Sequence, residues 1–403
     1  MTRPAVAHGR LTGLDEIVGV GRDRVRGGWS RHVWDHSELE LRSWFLTRAA
    51  SLGLDVETDR NGNLWAWWGA PGPDAVVVGS HLDSVPGGGE FDGPLGVVSA
   101  LDAVAMLQAE GIRPSRPFAV VVFAEEEGSR FGVACLGSRL LTGAISADRV
   151  RALADADGVT FAEAAAANGT DPRHIGHDPE TLGRIGVFIE LHVEQGRGLI
   201  DLDSPLAVAS SILAHGRWRI DVTGEGNHAG ATRMGDRRDP MVAAARGIMA
   251  IRDAARGGDR ATVGRIEAVP GGTNVIPSRV TTWLDARSDL DVDARSLVNE
   301  ITARVREAAA AEGCEARVTE ESWSGQVVFD AGLRDRLAAS LGGIPALPTG
   351  AGHDAGILSA HVPTAMIFVR NPSGVSHAPE EHATLEDCVE GVVALTQVLR
   401  GLV

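Results

Sequence analysis

Three short apolar runs carry carboxylates, two of them with a histidine as well, at or near their ends, and that pattern constrains this chain more than anything else in it. The first, Ala75 to Val78, stops at Gly79-Ser80. His81, Asp83 and Asp92 follow, with three consecutive glycines, Gly87 to Gly89, in the loop between the two aspartates. The second run, PFAVVVFA from Pro117 to Ala124, delivers Glu125, Glu126 and Glu127. The third, GVFIELHVEQG from Gly186 to Gly196, carries Glu190, His192 and Glu194, with Gln195 beside them. Alternation along a strand puts those three side chains on one face. Gly96 to Glu110 is rich in Ala, Leu and Val and reads as a helix between the first two runs. Strand, loop, helix, strand with continuously apolar strands is the rhythm of an α/β sheet covered on both faces. Ligands of such sheets bind at the carboxyl ends of the strands.

The residues at those ends suit a metal. Each has a plainer alternative: a surface loop for His81 to Asp92, a solvated acidic turn for the glutamates, a structural role for a lone strand histidine. Three adjacent carboxylates capping an apolar strand repel one another, and a nearby cation relieves that repulsion. His81 offers a nitrogen ligand, and Asp83 is spaced to bond its other ring nitrogen and fix the tautomer. Asp92, returned by the glycine loop, is placed to bridge two cations. With His377 from the C-terminal part, the set becomes His81, Asp83, Asp92, Glu126, Glu127, His192 and His377. Two divalent ions about 3.5–4 Å apart need such mixed ligands around a shared carboxylate.

The remainder bounds the architecture. At 403 residues the chain is expected to form two domains. Residues 10 to 56 read as helical, and Asn61-Gly62 signals a hairpin, with Trp65, Trp67 and Trp68 on a packed β face rather than a stacking platform. From about Ser211 the order becomes β-α-β-β-α-β, of ferredoxin-like type, and the chain returns to the first domain near Trp323 to Asp330. The expected fold is therefore α/β. A central mixed, largely parallel sheet occupies residues 1–210 and 325–403, and an inserted ferredoxin-like α+β domain occupies 211–324. A net charge of −16 argues against nucleic acid as a partner, and no apolar run reaches membrane-spanning length. The first residues lack the apolar stretch of a secretory signal, so a cytoplasmic location is expected. Cys135, Cys314 and Cys388 are too scattered for a framework and read as reduced thiols. Tyrosine is absent, which leaves acid–base work to His, Asp, Glu or Lys.

Seven ordered blocks carry a resemblance over nearly the whole chain: GSHLDSVPGGGEFDGPLGV, EEEGSRF, ELHVEQG, GNHAGATRM, GGTNVIP, GAGHDA and GVSHAPEE. Together they resemble the aminoacylase/carboxypeptidase G family of dinuclear metallohydrolases. The nearer likeness is to its amidohydrolase branch of allantoate amidohydrolases, N-carbamoyl-L-amino acid hydrolases and β-ureidopropionases. The resemblance implies two divalent ions (zinc or manganese, with cobalt or nickel as alternatives). His81 and His192 would hold one, Glu127 and His377 the other, and Asp92 would bridge. Glu126 would be the general base and Asp83 the support of His81. In the smaller domain, His228 would reach the substrate from a neighbouring subunit of a homodimer, with Asn274 and Arg287 binding substrate. Gln195 and His353 would add polar contacts. The smaller domain would close over the site as a lid and make the dimer, with hinges near Ser210 and Ser324. Two positions depart from the family pattern: Arg233, often proline, and His382, often aromatic. The implied activity is cleavage of the C–N bond of a ureido group on a small acid. Allantoate comes first, then an N-carbamoyl-L-amino acid, then β-ureidopropionate. An N-acyl-amino acid deacylase or metallopeptidase, and a binding protein without catalysis, are the alternatives.

Overall fold

A computed structural model describes residues 3–403. The chain divides into two compact units: the part up to Ser211 together with Val328–Val403, and Ile212–Val327.

The first unit is built on a mixed sheet. From Leu206–Ile212 its strands run in the order Thr364–Val369, Ile185–Val193, Ala75–His81, Phe118–Phe123, Leu64–Trp68 and Asp55–Thr58. The four middle strands are parallel and the flanking pairings antiparallel, as expected for a largely parallel α/β sheet. The apolar runs are apolar because both faces are covered: Val76 to Val78 and Phe118 to Val122 have no exposed surface. Helices Pro94–Ala109 and Leu385–Arg400 pack against each other and against the sheet. Leu95, Val97, Leu101, Val104 and Leu107 are buried there, each contributing about 1.5–3 kcal/mol. Register places the chemistry. His81 lies opposite Phe123, and His192 opposite Phe368. The glutamates after Phe123 therefore leave the sheet beside His81, at its carboxyl edge.

One expectation needs correction. Residues 10 to 56 do not form a continuous helical region but two helices, Thr12–Ile17 and His36–Ser51. Between them Gly21, Gly27 and Gly28 have positive φ, which a helix excludes. The segment serves the glycine loop instead: Trp29 and Gly88 exchange both backbone hydrogen bonds, at 3.0 and 2.8 Å. The tryptophans pack as a β face, with Trp65 and Trp67 buried and stacked at 6.2 Å.

The second unit holds an antiparallel sheet ordered Arg260–Val269, Arg279–Ser288, Ala214–Thr223, Glu315–Ser324. Helices Pro240–Ala254 and Asp291–Ala311 cover one face, and Ile220, Val280, Leu284, Ile301 and Val305 fill the space between. Chain order is β-α-β-β-α-β, the ferredoxin-like arrangement. Among the described residues no helix is long and apolar enough to cross a membrane. All three cysteines are free thiols, two of them buried.

Candidate metal centre

The carboxyl edge of the first unit's sheet gathers one aspartate and two sets of ligands. Asp92 Oδ1 lies 3.5 Å from His81 Nε2 and 3.2 Å from His192 Nε2. Its other oxygen lies 3.5 Å from His377 Nε2, which is itself 3.3 Å from Glu127 Oε2. Ligand atoms bound to one tetrahedral ion at 2.0–2.2 Å sit about 3.3–3.6 Å from each other. The separations above, 3.2–3.5 Å, are close to that spacing, and within each cluster all three ligand atoms lie within 4.8 Å of one another. Asp92 contributes one oxygen to each.

Local structure aims the rings. His81 Nδ1 is 3.0 Å from the main-chain oxygen of Asp83, and His192 Nδ1 is 2.9 Å from that of Val193. A carbonyl only accepts, so the Nδ1 atoms carry hydrogens, and both Nε2 atoms, the ring positions left for a ligand, face Asp92. Those two Nε2 atoms and Glu127 Oε1 are buried without any hydrogen-bond partner. Buried polar atoms are rarely left so; the two Nε2 atoms facing Asp92 fit one cation, and Glu127 belongs to the second cluster with His377. Gly93, at φ +83°, caps the helix that follows; a Cβ there would lie 2.4 Å from the His81 ring. Only glycine lets the imidazole occupy that space.

The electrostatics agree with the geometry. Burial raises Glu126 to about 7, helped by Asp83, Asp92 and Glu190 and opposed by His81. Burial, Asp92 and Glu126 lift Glu127 well above the carboxylate range. For His81 burial acts the other way, yet Glu126, Asp92 and Asp83 outweigh it and raise the imidazole well above its ordinary value. Crowded carboxylates that hold their protons, and an imidazole that they make hold its own, both describe a negative potential that draws positive charge into the pocket.

Asp83 acts differently from the sequence expectation. Its main-chain oxygen, not its carboxylate, holds His81; the carboxylate is 3.6 Å from the ring. The two carboxylate oxygens instead accept the backbone N–H groups of Glu126 (3.2 Å) and Glu127 (3.0 Å). Asp83 thus sets the turn that presents both glutamates. Glu125 is spent on the next turn, accepting from the N–H groups of Arg130 and Phe131. Glu190 accepts from Ser80 and the N–H of Ala355, and Glu194 caps the short helix Gly198–Asp201. Gln195 Nε2 donates to Asp92 Oδ2 at 2.8 Å and lies 3.2 Å from His377 Nε2. His353 is buried against the His192 ring at 4.6 Å, its Nε2 unpartnered. His377, not His382, faces the cluster; His382 packs edge-on against Phe91.

Glu381 stood out in the C-terminal part of the sequence without a role, and two contributors, Ser376 and Cys135, were not singled out for the site. Glu381 and Ser376 bond the Asp92 loop, and the Cys135 thiol donates to Glu126 Oε1 at 3.3 Å. Ser376 and Glu381 both lie within GVSHAPEE.

In the second unit, Asn227–His228 pairs with Val275–Ile276, and the N–H of Ala229 donates to the Asn274 oxygen at 3.0 Å. His228 is exposed; its Nδ1 accepts from the N–H groups of Gly230 and Ala231 at 3.0 and 3.1 Å, so Nε2 carries the hydrogen. Arg287 grips Asp285 through two bonds, of 2.7 and 3.0 Å. Arg233 is exposed ahead of a 3-10 turn, Met234–Asp236.

Known proteins resemble this chain over nearly its full length. Residues 77–401 match the model for peptidase family M20/M25/M40. An N-carbamoyl-L-amino acid amidohydrolase of Geobacillus stearothermophilus is 38% identical over 95% of both chains. An allantoate amidohydrolase of Escherichia coli strain K12 is 34% identical over 93% of both. The crystal structure of an amidase of the hydantoinase/carbamoylase family from Burkholderia multivorans superposes with a TM-score of 0.85 at 30% identity, covering 96% of each chain. The chain accordingly belongs to peptidase family M20/M25/M40, in its allantoate amidohydrolase/N-carbamoyl-L-amino acid amidohydrolase branch, and is a hydrolase of that type.

Proposed function

We propose that this hydrolase cleaves the C–N bond of a ureido group on a small carboxylic acid, with two divalent ions held around Asp92. The observation that carries the reading is the sharing of Asp92: one oxygen faces His81 and His192, the other His377, which is beside Glu127. His81, His192 and Asp92 would hold one ion, and Glu127, His377 and Asp92 the other. The chemistry such ions supply when bound is Lewis acidity and a water acidic near pH 7. Glu126 would serve as the base that accepts a proton from the attacking water and as the acid that returns it to the leaving nitrogen. Its carboxylate, raised to about 7 by burial, is matched to both halves of that task near neutral pH. The Cys135 thiol and the backbone set by Asp83 hold Glu126 in place.

For the substrate's other end we assign Arg287 and Asn274 to the carboxylate, and Gln195 and His353 to polar contacts. Asp285 holds the Nε and Nη2 edge of the Arg287 guanidinium and so orients the group, whose planar charge suits a carboxylate in a way a lysine ammonium does not. His228, with its hydrogen on Nε2, is assigned to the developing oxyanion from a partner subunit of a homodimer. N-carbamoyl-L-amino acids and allantoate are the two substrate classes, the former placed first because the relative at 38% identity acts on them. The test is ammonia or carbamate release from allantoate, N-carbamoyl-L- and D-amino acids, β-ureidopropionate and an N-acetyl amino acid. Hydrolysis of a ureido acid, with the N-acetyl compound slow, is expected. Preference for the N-acetyl compound would replace this reading with a deacylase.

A further inference from the structure

Glu381 is 4% exposed and lies on the loop after His377, 289 residues along the chain from Asp92. Its Oε1 accepts the backbone N–H groups of Asp92 (3.0 Å) and Phe91 (3.2 Å). Its Oε2 accepts the Ser376 hydroxyl at 3.1 Å. Ser376 Oγ is in turn 3.4 Å from Asp92 Oδ2 and 3.1 Å from Gln195 Nε2. One carboxylate therefore ties the backbone of the bridging aspartate to the residue next to His377. The two loops have no β pairing to fix their separation. Without Glu381 the N–H groups of Phe91 and Asp92 lose their buried acceptor, and the Asp92 Oδ2 to His377 spacing loses its fastening. The glycine loop is shaped for this contact: a Cβ on Gly89 would lie 2.1 Å from Glu381 Oε1 and 2.6 Å from its Cβ.

We propose that Glu381 is a positioning residue that sets the Asp92–His377 distance and thereby the affinity of the Glu127–Asp92–His377 cluster for its divalent ion. The inference rests on the two-ion reading above. The effect is expected to fall mainly on one ion: Ser376 bonds Asp92 on its Oδ2 side and adjoins His377, whereas the His81 and His192 rings are aimed by the space at Gly93 and by the carbonyls of Asp83 and Val193, with no contact from Glu381.

The test is titration of the full-length protein with Mn2+, the free ion being read by electron paramagnetic resonance. Wild type is expected to bind two equivalents. Glu381→Ala should weaken one of them by at least about tenfold and leave the other within about threefold. Glu381→Gln should bind both nearly as wild type, because its amide oxygen still accepts the two N–H groups and its NH2 still meets Ser376. Gly89→Ala, which keeps Glu381 but drives a methyl into its carboxylate, should behave like Glu381→Ala and covers the case in which that variant does not fold. Two wild-type affinities in folded Glu381→Ala or Gly89→Ala would overturn the role of Glu381. So would equal weakening of both ions in Glu381→Ala, or failure of Glu381→Gln to rescue. Fewer than two equivalents in the wild type would instead sink the two-ion reading, and this inference with it.

Discussion

At the scale of single residues, the centre separates groups that hold ligands in place from groups that move protons. Glu126 belongs to the second kind. Glu126→Ala should lower kcat by about 10²–10⁴ while leaving metal content unchanged, as measured by elemental analysis beside steady-state rates. Normal turnover would remove Glu126 as the base. Asp83 belongs to the first kind, because each of its carboxylate oxygens accepts one backbone N–H. In Asp83→Asn the amide nitrogen faces one of those donors, leaving a buried N–H unmet at a cost of about 1–3 kcal/mol. A lowered melting temperature with weaker metal binding is expected, and an unchanged one would contradict this role. Asp83 was legible from its spacing to His81, but its real partners were not. Nothing in sequence says that the carbonyl rather than the carboxylate will meet a ring, since that depends on the turn after the strand.

At the scale of elements, helix Pro94–Ala109 carries two testable features. Gly93 at its N-cap admits the His81 ring, so Gly93→Ala should disturb the His81–Asp92–His192 cluster before the other one. Visible absorption of the Co2+-loaded protein would report the change, and an unaltered spectrum would refute it. Within the helix, Asp102 is raised to about 6, by burial first, with Arg48 at 3.4 Å opposing. A carboxyl whose folded value lies above its unfolded one holds its proton more tightly in the native state. Its cost is absent below pH 4, grows between pH 4 and 6, and is full above 6. Asp102→Asn should therefore stabilise the protein by about 2–3 kcal/mol at pH 8 and by nearly nothing at pH 4, read from urea unfolding at both values. A pH-independent difference would contradict the burial argument. The strands around this helix were readable because their apolar runs are unbroken. Residues 10 to 56 misled because the apolar residues of two helices look continuous until the glycines of the intervening loop are given their left-handed conformation.

At the scale of the molecule, the largely parallel sheet and the ferredoxin-like unit followed from the order of apolar runs and turns, whereas the order of strands within the sheet and the aim of side chains did not. Arg287 shows the difference: LDAR places Asp285 and Arg287 on one face of a strand, but the two-bond grip between them is seen only in the structure. If His228 acts from a partner subunit, two inactive variants should rescue one another. Mixed Glu126→Ala and His228→Ala chains, allowed to exchange, should regain activity through heterodimers in which one site is whole. No recovery on subunit exchange would place His228 in its own chain's site or outside catalysis. The claim beneath all of these is that one aspartate serves two ions, and its most direct measurement is the divalent-ion content per chain of the wild type beside Asp92→Ala. The account expects two ions per chain in the wild type and loss of both on substitution. A wild type holding at most one, or an Asp92→Ala chain that keeps two, would contradict it.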